Sequence, residues 1–257
     1  MEILPSIEIV DLGLYFKKQD LLAFGDVHIG YEEALNRQGI LVPRFAFKEM
    51  VEKLEHMIFQ CLALSGKQRI STILVNGDLK HEFGKISETE WRHTVRFLKL
   101  LQQYTHHIVL VKGNHDKILE PIAQTKGLTV VSFYQRDDIL FLHGDVVLDV
   151  ASGKSVKIVV IGHEHPAVSL SQWPRTEKYK AFLSGTWNQK KFTLGSKKLI
   201  VLPSFSLVTE GTDILKESLL SQFLRGQNMG LFDCYIVGDK PYFFGQLKNL
   251  HKNKKEK

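Results

Sequence analysis

The chain has 257 residues, 44% of them hydrophobic, 10% aromatic and 24% charged, which excludes a disordered, collagen-like or disulfide-scaffold protein. Lys+Arg number 34 against Asp+Glu 28, a net +6, yet residues 248–257 alone hold five Lys and one Glu and leave only +2 for the rest. The body is nearly neutral, so charge alone makes no case for nucleic-acid binding, and the Lys-rich end reads as a disordered tail after one domain spanning 1–247.

Near the N-terminus no basic stretch precedes an apolar one, and no run approaches the ~18 apolar residues of a membrane helix. A cytoplasmic protein with no membrane partner is expected. Cys61 and Cys234 stand outside any C-x-x-C pair and read as free, buried thiols.

In chain order, the first strong element is Leu21-Leu22-Ala23-Phe24, an apolar strand running into Gly25-Asp26-Val27-His28. Asn36, Arg37, Arg44 and Lys48 follow and are candidates to line a groove beside that turn; as a charge set they are ordinary. From Phe47 to Leu64, apolar residues at Phe47, Met50, Val51, Leu54, Met57, Ile58, Cys61 and Leu62 repeat with helical period. Strand Thr72–Val75 runs into Asn76-Gly77-Asp78, followed by Lys80 and His81, which either contact a substrate oxygen or sit on a solvated loop. Ser87 with Glu90 is a capping-box signature, and Trp91, Val95, Leu98 and Leu101 form the stripe of the helix it opens.

Strand Ile108–Val111 runs into Lys112-Gly113-Asn114-His115-Asp116, with His106 and His107 at its entering end. Strands Ile139–Leu142 and Ile158–Ile161 run into His143-Gly144-Asp145 and Gly162-His163-Glu164-His165. Such short β-branched runs, apolar on both faces, are central strands covered on both sides. Strands dominate after Leu128, which suggests two sheets face to face with helices outside. Residues Pro203 to Asp213 read as a loop ending in a helix cap at Thr212 or Asp213.

Ligands of layered α/β proteins gather beyond the carboxyl ends of strands. Here those ends carry Asp26, His28, Asp78, Asn114, His115, His143, His163 and His165. Singly, each has a bland reading as a turn former or a hydrogen-bonded surface group; together they suggest a site. Carboxylates, imidazoles and one amide without a thiolate suit Mn2+, Fe2+ or Zn2+. The candidate ligands are too many for one open catalytic ion and adequate for two sharing a carboxylate. Such a positive centre draws an anion and suits phosphoester hydrolysis.

In order, these residues spell D-x-H, G-D, G-N-H-D, a lone His and G-H-x-H, and the chain resembles the calcineurin-like metallophosphoesterase superfamily over residues 21–165. Gly77-Asp78-Leu79-Lys80-His81 and Leu202-Pro203-Ser204-Phe205 are similar to a branch of small archaeal phosphoesterases that also holds a bacterial repair phosphoesterase associated with a DNA ligase.

The resemblance implies a four-layer α/β/β/α sandwich of two facing mixed sheets. It also implies that Asp26, His28 and His165 bind one divalent ion, that Asn114, His143 and His163 bind the other, and that Asp78 bridges them. His115 would stand beside the scissile phosphate as the catalytic residue, with Asp116 orienting it or its loop, and water would be the nucleophile. The ions would be Mn2+, with Fe2+ or Zn2+ as alternatives. Lys80, His81 and Arg37 are candidates for substrate contact. The expected substrate is a phosphodiester of nucleic acid or a nucleotide. The alternatives are a small soluble phosphoester, or a non-catalytic scaffold on the same fold.

Overall fold

The computed structural model describes residues 1–42, 45–82, 87–116, 128–188 and 196–252. Seven strands in chain order build the first sheet: β1 (Glu2–Leu4), β2 (Ile7–Val10), β3 (Gly13–Phe16), β4 (Leu21–Phe24), β5 (Thr72–Asn76), β6 (His107–Val111) and β7 (Thr129–Val131). β1 to β4 pair antiparallel through short turns, whereas β4, β5, β6 and β7 pair parallel. Parallel neighbours need long crossovers. The chain supplies α1 (Tyr31–Arg37) and α2 (Ala46–Ser65) before β5, and α3 (Glu88–Tyr104) before β6.

The second sheet comprises β8 (Phe133–Arg136), β9 (Ile139–Leu142), β10 (Ile158–Ile161), β11 (Pro166–Gln172), β12 (Arg175–Trp187), β13 (Lys197–Val201), β14 (Thr212–Asp213), β15 (Asp233–Val237) and β16 (Pro241–Gln246). Its order is β14-β11-β12-β13-β10-β9-β8, with β15 and β16 added beside β12. The first half of β12 pairs with β11 and its second half with β13 and β15. β9, β10 and β13 are parallel, so their carboxyl ends share one rim.

The two-sided apolar strands fill two cores each. β4 turns Leu21 and Ala23 toward the second sheet and Leu22 and Phe24 toward the helices. In the second sheet Val160 faces the first sheet while Val159 and Ile161 face outward. α2 and α3 cover the outer face of the first sheet through residues such as Leu54, Ile58, Phe97 and Leu101. The outer face of the second is covered by Ala151 in a short 3-10 turn, by Ile214, Phe223 and Leu224 in irregular chain, and by Leu247 of α4 (Leu247–Lys252). The layers are α/β/β/α as expected, with the fourth made of short turns and irregular chain instead of long helices.

Several local expectations need correction. Residues 248–252, placed by sequence in a loose tail, continue α4, and 253–257 lie outside the described residues. Thr212–Asp213 is a strand parallel to β11 and opens no helix; the Asp213 carboxylate instead accepts from Leu215 N at 3.0 Å, an Asx turn. In α3 the buried stripe is Glu90, Thr94, Phe97, Leu98 and Leu101, which leaves Trp91 38% exposed. Ser87 caps that helix, its Oγ accepting from Glu90 N at 3.0 Å, but the Glu90 carboxylate turns away to accept from His81 N and Glu82 N at 2.8 and 3.0 Å. Half of the capping box thus fastens the loop behind Asp78. Cys61 and Cys234 are free and buried. Among the described residues no helix is long and apolar enough to cross a membrane.

One buried carboxylate fastens the far end of the first sheet. Asp20 accepts from Tyr15 Oη (2.6 Å), Lys67 Nζ (2.8 Å), Ser71 N (3.1 Å) and Ser71 Oγ (2.6 Å). Burial opposes its charge, but Lys67, Ser71 and Tyr15 outweigh that and hold the carboxyl below its ordinary range. A depressed folded pKa gives stability that is complete above the unfolded value of about 3.9 and is lost as pH falls through the folded one. Asp20→Ala leaves the Tyr15 hydroxyl buried without its acceptor and is expected to cost about 2–4 kcal/mol. That corresponds to a fall in Tm of roughly 5–10 °C by thermal denaturation at neutral pH. Asp20→Asn should flatten the acid limb of the stability curve.

Candidate metal centre

Because β4, β5 and β6 are parallel, as are β9 and β10, their carboxyl ends deliver Asp26 and His28, Asp78, Asn114 and His115, His143, and His163 and His165 to one rim. The two sheets are tied there: Gly25 forms a parallel bridge with Ser204 beyond β13, and Asn76 Nδ2 donates to Leu142 O at 3.0 Å.

The backbone of this rim is bent against its preference. Asp26, His28, Asp78, His163 and His165 have φ of 54°, 50°, 44°, 63° and 49°. Each such left-handed L-residue costs about 1–2 kcal/mol and persists only where its surroundings over-determine it. Here Asp26 N and His28 N donate to Gly77 O and Asp78 O at 3.0 and 2.9 Å, lacing the two ligand turns together. The motif glycines follow from the same crowding. A Cβ on Gly77, itself at φ 89°, would stand 2.0 Å from His143 Nδ1, and one on Gly113 would stand 2.0 Å from Asp78 Oδ1. Gly113→Ala is therefore expected to displace the Asp78 carboxylate, and metal content after equilibrium dialysis should fall to background.

The donors form overlapping groups: Asp26, Asp78 and His143 meet, as do His28, His81 and His115, and two adjoining sets stand out among them. Asp26, His28 and His165 have ligand atoms within 4.8 Å of one another, with His165 Nε2 3.2 Å from Asp26 Oδ1 and 3.4 Å from His28 Nε2. In the other, His143 Nε2 lies 2.9 Å from Asn114 Oδ1, 3.1 Å from His163 Nδ1 and 3.4 Å from Asp78 Oδ2. Asp78 Oδ2 is also 3.9 Å from His28 Nε2, which places this carboxylate between the groups.

The electrostatics are those of a cation site. Asp26 and Asp78 are buried, at 0% and 2% exposure. Burial opposes the Asp26 charge, but the imidazoles of His165, His143 and His28 outweigh it and hold the carboxyl at about 2. Asp78 is pushed up to about 9 by burial, by Asp26 and by Asp116. Burial drives His28 well below its ordinary range, brings His143 down to about 4 and lowers His163. Among the described residues His28 Nδ1 and His143 Nδ1 are buried without a hydrogen-bond partner. Oxygen and nitrogen donors without sulfur, around buried carboxylates that repel one another, fit divalent cations of the Mn2+, Fe2+ or Zn2+ type.

His115 stands beside both groups. Its backbone N donates to Asp78 Oδ1 at 2.9 Å, its Nε2 is 3.9 Å from Asp78 Oδ2, and its Nδ1 bonds the carbonyl of His81. A donating Nδ1 fixes the tautomer that leaves Nε2 for the site. Asp116 touches backbone: it accepts from Gly113 N (3.0 Å), Leu79 N (3.3 Å) and Lys80 N (3.3 Å). It joins the Asp78 and Asn114 loops through these backbone contacts.

The substrate-contact candidates separate. His81 stays at the site, its ring stacked on Tyr31 with centroids 4.1 Å apart and 5.4 Å from the His115 ring. Lys80 is fully buried and its ammonium donates to Glu82 O, so as placed it braces the loop. Arg37 is exposed and paired with Glu33 (2.6 Å) and Glu82 (3.5 Å). Asn36 Nδ2 donates to Glu32 O and Val42 O at 2.7 and 2.9 Å, Lys48 pairs with Glu52 at 3.7 Å, and Arg44 lies outside the described residues.

Two participants escaped the sequence. Tyr31 carries a signal only in retrospect, one helix start after His28. Lys180 carries none: on β12 it donates to Ser204 O (2.7 Å) and Ser206 O, while Ser204 Oγ and Ser206 N donate to Asp26 O at 2.7 and 3.1 Å. A half-buried lysine thus clamps the loop that holds the strained Asp26.

The profile of the family described as calcineurin-like phosphoesterase matches residues 20–167. No curated protein matches the chain. Among solved structures, the Pseudomonas putida nuclease MPE superposes with a TM-score of 0.59 at 17% identity, covering 91% of this chain and 93% of that one. Entamoeba histolytica Vps29 complexed with zinc gives a TM-score of 0.35 at 16% identity, covering 88% and 98%. The first of these likenesses shows the shared fold.

Proposed function

Since the chain belongs to the calcineurin-like phosphoesterase family, we propose that it is a metal-dependent phosphodiesterase with a dinuclear centre, acting on nucleic acid or a nucleotide. The observation that carries this reading is the meeting of Asp26, His28, Asp78, Asn114, His143, His163 and His165 in two adjoining donor groups with His115 alongside. All the motif residues are present, which supports catalysis over a scaffold role. The nuclease named among the solved structures supports, by analogy, a nucleic-acid substrate.

Asp26, His28 and His165 would hold one cation and Asn114, His143 and His163 the other, with Asp78 shared. Divalent cations bound there supply Lewis acidity and lower the pKa of water from ~15.7 toward ~7. The protein's own groups do the rest. His115 Nδ1 is pinned to the His81 carbonyl, so only as the imidazolium would His115 carry a second proton on Nε2 to pass to the leaving oxygen as the bond from phosphorus to that oxygen breaks. The attacking water would give its own proton to solvent as its oxygen bonds to phosphorus. The His81 ring stacked on Tyr31 keeps that carbonyl in place. Asp116 keeps the His115 and Asp78 loops in register through backbone N–H groups.

Purified protein with Mn2+ is expected to hydrolyse bis-p-nitrophenyl phosphate and single-stranded DNA, and a chelator should stop both. Cleavage of DNA should weaken steeply with salt, while small-diester turnover should change little. Failure to hydrolyse any phosphoester of a panel with Mn2+, Fe2+ or Zn2+ added back would remove the reading.

A further inference from the structure

A second concentration of charge lies at the other end of the strands that carry the metal ligands. Lys154, Lys157, Lys197 and Lys198, with Thr186 and Ser196, line a cavity of about 500 Å3 whose described lining includes no carboxylate. Lys157 precedes β10 and Lys197 opens β13; the two strands are parallel neighbours, and Lys198 N donates to Lys157 O at 2.9 Å. His163 and His165 follow the opposite end of β10, about 20 Å away at roughly 3.3 Å per residue.

The lysines are not spent within the protein. Lys157 pairs with Asp138 at 3.4 Å, but among the described residues Lys154 and Lys198 have no ion pair. Lys197 is only 6% exposed, and its Nζ donates to Gly153 O and Val156 O, both at 2.7 Å. An ammonium has three donors, so one remains, and a buried cation held only by carbonyls lacks the anion that would offset its desolvation. Apart from its last ten residues the chain carries only +2, so a hollow lined by four lysines, with Asp138 paired to one of them, is a local feature of the surface and not a consequence of net charge.

We propose that this hollow is an exosite for the phosphate backbone of a single-stranded nucleic acid whose scissile phosphate lies at the metal centre. The inference rests on the phosphodiesterase reading above. A single strand fits the placement: the metal ligands and the lysines stand at opposite ends of the same interior strands, so a polyanion that reaches both must bend over the end of the sheet. A duplex, with a persistence length of about 150 bp, resists that bend.

The test compares the metal-loaded protein with its Lys154→Glu/Lys198→Glu variant, using a labelled oligothymidylate of about 20 nucleotides between about 50 and 200 mM salt. The variant is expected to raise KM for the oligonucleotide at least tenfold. It should also lower the slope of log affinity against log salt by about 1.4, or ~0.7 for each phosphate that a lysine no longer neutralises. Turnover of bis-p-nitrophenyl phosphate and of a thymidine dinucleotide too short to span the distance should stay unchanged. An unchanged KM and salt slope on the long strand would overturn the exosite, as would an equal loss on all three substrates repeated in the milder Lys154→Ala/Lys198→Ala variant. Failure of the phosphodiesterase reading looks different: the unmutated protein would not turn over the small diester, while strand binding and its loss in the variant would still register as fluorescence anisotropy.

Discussion

Replacing Asp78 with alanine is expected to abolish both metal retention and phosphodiester hydrolysis. Its Oδ2 stands 3.4 Å from His143 Nε2 and 3.9 Å from His28 Nε2, so it reaches both donor groups; without it Asp26, 3.6 Å from His143 Nδ1 and 3.2 Å from His165 Nε2, would have to serve both alone. The loss should exceed the 10–100-fold that outlying partners of metal ligands typically cost. The metal-free state gives an independent check. Asp78 is pushed up to about 9 by burial and by Asp26 and Asp116, so its carboxylate is a liability when no cation is bound. Asp78→Ala should therefore unfold no earlier than the metal-free parent, while the parent alone should gain Tm on addition of Mn2+. Normal turnover in the variant would remove Asp78 from the centre.

His115→Ala is expected to separate binding from chemistry. Its Nε2 lies 3.9 Å from Asp78 Oδ2, and its ring nitrogens come within ligand distance of His28 and His81, but it is not one of the residues assigned above to either ion. Metal content should stay at the parent's level while kcat falls about 10²–10⁴-fold with little change in KM. The leaving group decides how His115 acts. If Nε2 protonates the departing oxygen, the defect should be large on DNA, whose sugar oxygen leaves poorly, and small on bis-p-nitrophenyl phosphate. Equal defects would assign it to stabilising charge on the phosphate. Loss of metal together with turnover would make it a ligand and contradict the site as described.

The residues of the candidate site were easier to pick out in the sequence than the scaffold around them, for a physical reason. Metal ligands must be of particular chemical types at the ends of particular strands, so Asp26-Val27-His28 and Gly162-His163-Glu164-His165 are legible locally. The strands were legible because each buries both faces, as Leu21, Leu22, Ala23 and Phe24 do. What covers the second sheet depends on distant residues such as Phe223 and Leu224, whose irregular chain has no period to read. Long polar side chains were least legible. Lys80 next to Asp78 looked poised for substrate, yet its loop turns it inward to Glu82 O, and Glu90, read as half of a cap, bonds the same loop instead. The left-handed backbone at Asp26, His28, Asp78, His163 and His165 has no sequence signature either, since only the packed rim imposes it.

The most direct measurement is anomalous diffraction from crystals grown with Mn2+, collected near the manganese edge. Two neighbouring peaks are expected at the carboxyl rim, one enclosed by Asp26, His28 and His165 and the other by Asn114, His143 and His163, with Asp78 touching both. No peak at that rim, or a lone peak elsewhere on the molecule, would contradict the account.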